Sequence, residues 1–426
     1  MEAVGKMMRI YSVCFILIVI LLGGIPFEAR AADTIKIGVL EALSGPLEFT
    51  GRFWLAAVQY AVDEQNAKGG FFGKKIQIIT EDSEWKGDVT NRKGKKLIME
   101  DKVDILASGG SAAVAIALNK IATNYKILNI SYGATANEVQ GSEFSRYAFR
   151  VSQNAHNIYA GMALLMGNTS YRKPYLLLPD YVFGYSSGES FKKGLKDYVP
   201  DAKIVGEDNI PVGTKDYAPY ITKVIAAKAD AIVTAMFAQD FINMVRQART
   251  MGLKVPFPFF THQVEPYPLR DLGDDAVGLY TVTSYDMGVK TPENEEMVKR
   301  WHEKHKNDKD FLTWWPFGYC GQTVVGMKMA FAAIEKAGSL DPEKVIQAFE
   351  GFQYKSPVGL WTMRKCDHQV LIPMYGGVTR KSGENPYFNG SIRPDVKFPW
   401  LGPNLQMLPA EKIAIPATPN YNPRCP

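Results

Sequence analysis

The feature that most constrains the fold is a regular alternation of short apolar runs with segments of helical periodicity. After the run TIKIGVL (34–40), apolar residues recur at helical spacing between Trp54 and Val62. The same succession repeats with three further runs, IQII (76–79), VDILA (103–107) and ILNIS (127–131). Strands that are buried on both faces and joined by helices form a parallel sheet. The first part of the chain therefore predicts one layered α/β lobe.

A second alternating series begins after Asn154. Its predicted strands are YLLLP (175–179), AKIVG (202–206), AIVTAMF (231–237) and VPFPFF (255–260), and its predicted helices are Ser186–Tyr198, Tyr217–Lys228 and Gln239–Met251. Two series predict an α/β protein with two doubly wound parallel-sheet lobes. We expect lobe 1 to hold residues 32–153 and about 286–357, and lobe 2 to hold 154–285 and about 358–426. The Pro- and Asn-rich tail should wrap one lobe. Because ligands of such sheets bind beyond the carboxyl ends of the strands, the site should lie in the cleft between the lobes.

The N-terminus has the pattern of an export signal. Lys6 and Arg9 precede an apolar run from Ile10 to Ile25, and Ala29-Arg30-Ala31 is a small-x-small cleavage site. A membrane anchor is the alternative, because a run of this length could almost span a bilayer. The cleavage site favours a mature chain that starts at Ala32 and is secreted.

Composition excludes several partners and cofactors. The 49 Lys and Arg residues only slightly outnumber the 44 Asp and Glu residues and are spread along the chain, so no nucleic-acid partner is predicted. WHEKH (301–305) lacks the spacing of a zinc helix, and we predict no metal and no cofactor.

Beyond residue 31, Cys320 lies in a helical apolar pattern and should be buried and reduced. Cys366 and Cys425 lie in the loop-rich C-terminal part, which favours a disulfide between them.

Several motifs occur together in one order. These are IKIGVLEALSGPLEFTG (35–51), DEQNAKGGFFGKKIQIITED (63–82), ILNISYGAT (127–135), DYVFGYSSG (180–188), KDYAPYITKVIAAKADAIV and VRQARTMGLK (245–254). In this order the sequence resembles the periplasmic leucine/isoleucine/valine-binding protein family, the type I solute-binding components of ABC transporters. The resemblance covers about residues 34–360.

The resemblance implies a hinged, two-lobed binding protein without chemistry of its own. Three crossovers would join the lobes, and closure would trap a small-molecule ligand before docking on the membrane permease of an ABC transporter. The chain is expected to act as a monomer. Two alternatives remain open, a ligand-sensing module for a membrane receptor and a secreted serine hydrolase built on GYSSG (184–188).

The first-lobe candidates are two loops that follow strands. In ASGGSAAVA (107–115), Ser111 and Ala112 lie where a helix begins, and the unpaired N–H groups of a helix start attract anionic oxygens. Family members usually carry a hydroxyl residue at the position of Ala112, so either Ser111 substitutes or the backbone binds alone. An ordinary turn capped by Ser111 is the alternative. The resemblance also assigns Ala134 and Thr135 to the ligand, as donors to its carboxylate.

The second-lobe candidates differ from those of amino-acid-binding members. The resemblance places Phe183 where those members have a tyrosine, and Thr261 where an acidic residue neutralises the ligand ammonium. His262 lies next to Thr261, and either Asp240 or Glu265 could replace the missing carboxylate. Because a desolvated ammonium without a counter-charge is costly, this pattern argues against a free amino acid.

The remaining second-lobe candidates are aromatic. Tyr181, Phe183 and Phe237 could line an apolar slot, whereas Trp54 is predicted to lie in the lobe core or at the cleft rim. We therefore expect a small organic carboxylate with an aromatic or aliphatic body. A hydrolase would place its serine on the turn directly after a strand. In GYSSG a loop intervenes and Tyr185 or Ser186 should cap a helix, so we predict no catalytic residue.

Overall fold

The computed structural model describes residues 34–45, 47–262, 265–309, 315–381, 399–401 and 404–426. The predicted export signal in residues 1–31 lies outside this part of the chain. Among the described residues, no helix is both long enough and apolar enough to cross a membrane.

The first alternating series forms a five-stranded parallel sheet in the order β2-β1-β3-β4-β5. The elements in chain order are β1 (Ile35–Glu41), α1 (Glu48–Ala67), β2 (Ile76–Asp82), α2 (Gly87–Met99), β3 (Ile105–Ser108), α3 (Ala112–Tyr125), β4 (Leu128–Ser131) and β5 (Ala148–Arg150). Every residue of the inner strands β3 and β4 is buried, as expected for a sheet with helices on both faces. The sequence pattern therefore predicted this sheet.

The second series forms the parallel part of an eight-stranded sheet, with neighbours β7-β6-β8-β9-β10. Its elements in chain order are α4 (Ala155–Gly167), β6 (Pro174–Pro179), α5 (Val182–Tyr198), β7 (Gly206–Ile210), α6 (Ala218–Ala226), β8 (Ala231–Thr234), α7 (Ala238–Thr250), β9 (Phe259–Thr261), α8 (Pro266–Leu272) and β10 (Leu279–Thr283). The buried apolar side chains of both sheets belong to one continuous cluster.

The rest of the chain adds helices, a small sheet and the far edge of the second sheet. Its elements are α9 (Pro292–His305), α10 (Gly318–Ala337), α11 (Pro342–Phe349), β11 (Gln353–Ser356), β12 (Gly359–Met363), β13 (Val370–Leu371), β14 (Met374–Arg380), β15 (Trp400–Leu401), β16 (Gln406–Leu408) and α12 (Ala410–Ile413). Strands β11 to β13 pair antiparallel with each other. Strand β14 joins the second sheet antiparallel to β10 and pairs with β15 and β16.

Four predicted boundaries in the second series were wrong. The strand predicted at 231–237 is β8, which ends at Thr234. The strand predicted at 202–206 is β7, which begins at Gly206 because its register is set by pairing with β6. Strand β9 begins only at Phe259, since the prolines of VPFPFF lack the N–H that a central strand needs. Helix α5 begins at Val182, although glycine, serine and aromatic residues there have low helix propensity. Packing of its buried face outweighs that propensity.

The chain passes between the two sheets three times. It leaves the first sheet after β5, returns from β10 to pack α10 against α1, and re-enters the second sheet at β14. The side chain of Gln322 on α10 ties these passages together, because its Oε1 accepts from the Gln153 N–H at 3.2 Å and from the Ser284 hydroxyl. The Ser284 N–H also donates to Gln153 Oε1 at 3.0 Å. These crossovers are the predicted hinge.

The C-terminal tail contacts both layers, that is, each of the two sheets with the helices that accompany it. A disulfide joins Cys366 to Cys425, the pairing that the sequence favoured, while Cys320 is free and buried. On the side of the second sheet, Asn157 at the start of α4 donates to Ile413 O at 3.0 Å. On the side of the first sheet, the Tyr421 hydroxyl donates to Asn137 O at 3.1 Å. The tail thus braces the junction between the two layers.

Candidate functional site

A cavity opens at the carboxyl ends of parallel strands from both sheets, where ligands of such folds bind. Its walls are the loops after β3 and β4 on one side and the loops after β6, β8 and β9 on the other. Its volume, measured by where the centre of a water molecule fits, is ≈ 130 Å³, about ten times the space that one water needs. The cavity therefore has room for a small organic molecule between the two layers.

The loop after β3 presents backbone donors, because the hydroxyl of Ser111 is already engaged. Ser111 caps α3: its Oγ accepts from the Val114 N–H at 3.4 Å and donates to Trp85 O at 3.3 Å. Ser111 and Ala112 both line the cavity, and among the described residues the Ala112 N–H has no hydrogen-bond partner. The helix cap predicted at Ser111 is therefore present, and both Ser111 and Ala112 lie at the cavity. The backbone at Ala112, and not the Ser111 hydroxyl, is available to a ligand.

The loop after β4 lies directly against the loop after β3. A Cβ atom at Gly133 would come within 2.0 Å of Gly109 O, so only glycine permits this approach. Ala134 and Thr135, which the resemblance assigns to the ligand, line the cavity. The carbonyl of Thr135 accepts from the Ala155 N–H at 2.6 Å, whereas no described residue accepts from the Thr135 N–H. The N–H groups of Ala112 and Thr135 thus have no partner among the described residues, and both residues line the cavity.

Sequence reasoning missed a buried carboxyl group behind these two loops. Glu41, the last residue of β1, is fully buried, and its Oε1 accepts from the Gly109 N–H at 2.8 Å and from the Tyr132 hydroxyl. Burial raises the pKa of Glu41 to about 8, although both hydrogen bonds act to lower it. The side chain is consequently uncharged at neutral pH, so it joins the two loops without placing a negative charge behind their donors. The only hint in the sequence was an acidic residue at the end of an apolar strand.

Aromatic side chains form a large part of the cavity wall. Trp54 and Trp85 stack with ring centroids 5.8 Å apart and planes 7° apart, and Tyr319 meets Trp54 edge-on at 6.3 Å. Across the cleft, the ring of Phe49 on α1 contacts the ring of Tyr267 on α8, with their centroids 5.4 Å apart. Trp54, predicted to be core or rim, lines the cavity, and Trp85 was not predicted. The wall suits a flat apolar or aromatic ligand body.

The second wall carries the predicted aromatic residues and a neutral histidine. Tyr181, Phe183, Phe237 and His262 all line the cavity. Phe183 meets the His262 ring edge-on at 5.2 Å. Burial lowers the pKa of His262 to about 3. Its Nδ1 lies 3.1 Å from the hydroxyl of Tyr159, which donates to Thr234 O. His262 is thus an uncharged imidazole at physiological pH, and it neither attracts nor repels a charged ligand strongly.

Two of the predicted polar positions do not reach the cavity. Thr261 is fully buried within β9, where it pairs with β8 and β10, and it does not line the cavity. Asp240 does not line the cavity, and its Oδ2 accepts from the Gly213 N–H at 2.7 Å. Glu265 does line it, and its Oε1 accepts from the Tyr319 N–H in the first turn of α10 at 2.9 Å. Burial raises the pKa of Glu265 to about 7, against the lowering effect of that N–H.

The GYSSG segment forms part of a helix. Because α5 begins at Val182 with Tyr181 as its N-cap, the predicted cap at Tyr185 or Ser186 is wrong. The Ser186 hydroxyl donates to the carboxylate of Glu138 at 2.8 and 3.1 Å, and Ser186 does not line the cavity. Glu138 follows β4, so this bond joins α5 to the first-sheet side. The serine is therefore a contact between the layers and not the nucleophile of an elbow.

The geometry defines a two-layered binding protein with an inter-layer cavity, and the comparisons give its family. The sequence pattern of the periplasmic binding protein family matches residues 34–384. This chain belongs to that family, the type I solute-binding proteins of ABC transporters. Its members are periplasmic proteins that bind small molecules and act with membrane permeases, and they are not enzymes.

Relatives and solved structures agree with this assignment. The chain is 28% identical over 360 residues to a Leu/Ile/Val-binding protein homolog from Brucella abortus, covering 81% of this chain and 83% of the relative. A leucine-, isoleucine-, valine-, threonine- and alanine-binding protein from Brucella ovis superimposes with a TM-score of 0.80 at 24% identity, covering 93% and 99% of the two chains. A solute-binding protein from Rhodopseudomonas palustris, in complex with 3,4-dihydroxybenzoic acid, superimposes with a TM-score of 0.74 at 22% identity. The match covers 89% of this chain and 98% of that protein.

Proposed function

We propose that this protein binds a small organic carboxylate with an aromatic or apolar body, closes around it by a hinge motion, and delivers it to the permease of an ABC importer. The observation that carries the proposal is the composition of the cavity: the N–H groups of Ala112 and Thr135 have no partner among the described residues, and many of the other lining residues are aromatic.

The donor wall favours an anionic oxygen. Ala112 is the first residue of the 14-residue helix α3, where the unpaired N–H groups and the helix dipole attract negative charge. A carboxylate has two oxygens that accept hydrogen bonds, and it could engage Ala112 and Thr135 together. Hydrogen bonds to a charged group in a site shielded from water are stronger than neutral ones.

The opposite wall disfavours a free amino acid. A bound ammonium needs a nearby negative charge once it leaves water. His262 is neutral, and the carboxyl group of Glu265 is already bound to the Tyr319 N–H. Because burial raises the pKa of Glu265 to about 7, a large share of this group is protonated near neutral pH. The 3,4-dihydroxybenzoic acid bound by the Rhodopseudomonas palustris protein is a carboxylate without an ammonium and supports this choice.

A second candidate ligand class follows from Glu265 itself. If this carboxyl group ionises when a ligand binds, it could neutralise the ammonium of an aliphatic amino acid. The amino acids in the name of the Brucella ovis protein belong to that class. A Glu265→Gln variant separates the two ligand classes. It should lose binding of aliphatic amino acids and keep binding of carboxylates that lack an ammonium group.

The proposal extends to the mature form of the protein. We propose that the export signal is cleaved after Ala31, that the lobes follow the boundaries predicted above, and that the mature chain is a monomer. N-terminal sequencing and light scattering of the exported protein test the first and the last of these directly. An exported protein that retains residues 1–31, or one that forms a stable dimer, would contradict these proposals.

Replacing Ala112 with proline is expected to weaken binding of 3,4-dihydroxybenzoate at least tenfold. The variant lacks the N–H at the first helical position, where proline fits without disturbing the helix. The preceding Ser111 has φ −67° and ψ 172°, the extended form that suits a residue before proline. Titration calorimetry measures the affinity. A loss of tenfold corresponds to about 1.4 kcal/mol, within the range for one charge-assisted hydrogen bond.

Ala112→Gly is the matched control, because it keeps the N–H and removes only a methyl group. Its affinity should stay within about threefold of the native value. Circular dichroism should give equal helix content for both variants. A proline variant that binds 3,4-dihydroxybenzoate as tightly as the native chain would contradict the proposed donor wall.

A further inference from the structure

A buried arginine lies directly behind the loop after β4. Arg150, the last residue of β5, is fully buried, and its Nη1 donates to Ala136 O at 2.6 Å and to Ala134 O at 3.2 Å. Its Nε donates to Gln369 Oε1. Among the described residues its Nη2 has no hydrogen-bond partner. The guanidinium therefore holds the carbonyl groups of the loop that carries Thr135.

This contact determines which way the loop presents its donors. In a trans peptide the C=O and the following N–H point in opposite directions. The Ala134 carbonyl points to Arg150, so the Thr135 N–H points away from Arg150, and Thr135 lines the cavity. Removing the guanidinium would free the loop to turn a carbonyl towards the cavity.

Within the described part of the chain, the charge of Arg150 has no acidic partner at salt-bridge distance. The charged and titratable groups that act on it are the carboxylates of Asp367 and Glu138, the Tyr421 hydroxyl and the opposing guanidinium of Arg364. The Asp367 carboxylate is bound by Arg364, and the Glu138 carboxylate accepts from Ser186. Burial lowers the pKa of Arg150, yet arginine stays protonated in proteins. A buried cation without a paired anion is costly, and a carboxylate ligand on the other side of the loop would reduce that cost.

We infer that Arg150 is the positioning residue that sets the ligand specificity of this site: it orients the Ala134–Thr135 loop and supplies the fixed positive charge that makes the loop prefer a carboxylate to an uncharged ligand. The inference rests on the proposed carboxylate function, and it adds a role for a residue that never touches the ligand. The charge acts across a single loop in surroundings of low polarity, where Coulomb interactions are strong.

The test compares benzoate with benzamide, which share size and ring but differ in charge. The ratio of their dissociation constants is measured by NMR titration of the full mature chain, with the amide signals of Ala112 and Thr135 as the reporters. Native protein and Arg150→Lys should prefer benzoate. Arg150→Gln, which keeps donors without charge, and Arg150→Met should lower that preference about tenfold. A purely structural role would weaken both ligands equally and leave the ratio unchanged.

A second measurement needs no variant. The preference of the native chain for benzoate should change little between low salt and about 0.5 M salt, because buried charges are poorly screened. A preference that collapses in salt would assign it to solvent-exposed charges and overturn the inference. A preference that survives in both Arg150→Gln and Arg150→Met overturns the role of Arg150 and leaves the carboxylate function intact. If the native chain shows no preference for benzoate, the carboxylate function itself is contradicted, and the inference with it.

Discussion

Replacing Cys366 and Cys425 together by serine is expected to lower the free energy of unfolding by about 4 kcal/mol. The bond joins positions 59 residues apart, and opening so long a loop restores much conformational freedom to the unfolded chain. Denaturation in urea, monitored by circular dichroism, measures the loss. The expected change is a lower midpoint, together with a larger m-value if the unfolded chain expands.

The same bond holds the tail against the first-sheet side, where Asn422 donates to Gln140 O at 2.8 Å. In the double-serine variant we therefore expect faster hydrogen exchange at residues 137–140. Cys320→Ala is the matched control, since it removes a buried thiol that forms no disulfide. A double variant that is destabilised no more than this control would show that the disulfide does not stabilise the fold.

The second large effect is a change in how stability depends on pH when Glu41 is replaced by glutamine. The native state holds a proton on Glu41 up to about pH 8, whereas the unfolded chain releases it near the ordinary pKa of 4.5. Between these values the native state binds more protons than the unfolded state. Rising pH therefore favours unfolding, by about 1.4 kcal/mol per pH unit from this group alone. Glu41→Gln removes this contribution.

The free energy of unfolding of Glu41→Gln relative to the native chain should consequently increase by roughly 3 kcal/mol between pH 5 and pH 7. Other buried groups titrate in the same range, but they are present in both proteins, and their contributions cancel in the difference. Glu293→Gln at an exposed position serves as the control for the removal of one carboxyl group. A flat difference for Glu41→Gln would mean that Glu41 is ionised in the native state.

The sequence was sufficient for the parts of the fold that repeat locally. The runs at 103–107 and 127–131 became the buried strands β3 and β4, and Ala112 and Thr135, which follow these strands, line the cavity. Both conclusions need only the periodicity of one segment and the rule that ligands bind at carboxyl ends of parallel strands.

What the sequence did not reveal depends on contacts between distant segments. Glu41 meets Gly109 and Tyr132, which are 68 and 91 positions away, and nothing in the run around Glu41 indicates these partners. Arg150 likewise meets Gln369 across 219 positions. Thr261 differs from the other predicted site residues because strand β9 continues through it, whereas the described residues His262 and Glu265 that follow it line the cavity.

The measurement that tests the central claim most directly is a thermal-shift screen of residues 32–426 stripped of bound ligand. The panel holds aromatic and short-chain carboxylates, each paired with its amide, together with aliphatic amino acids. A ligand at a thousand times its dissociation constant stabilises by roughly 4 kcal/mol, which raises Tm by about 5 °C for a chain of this size. We predict such a shift with an aromatic or apolar carboxylate and none with its amide. A shift with amino acids alone, or with amides as strongly as with carboxylates, would contradict the proposed site.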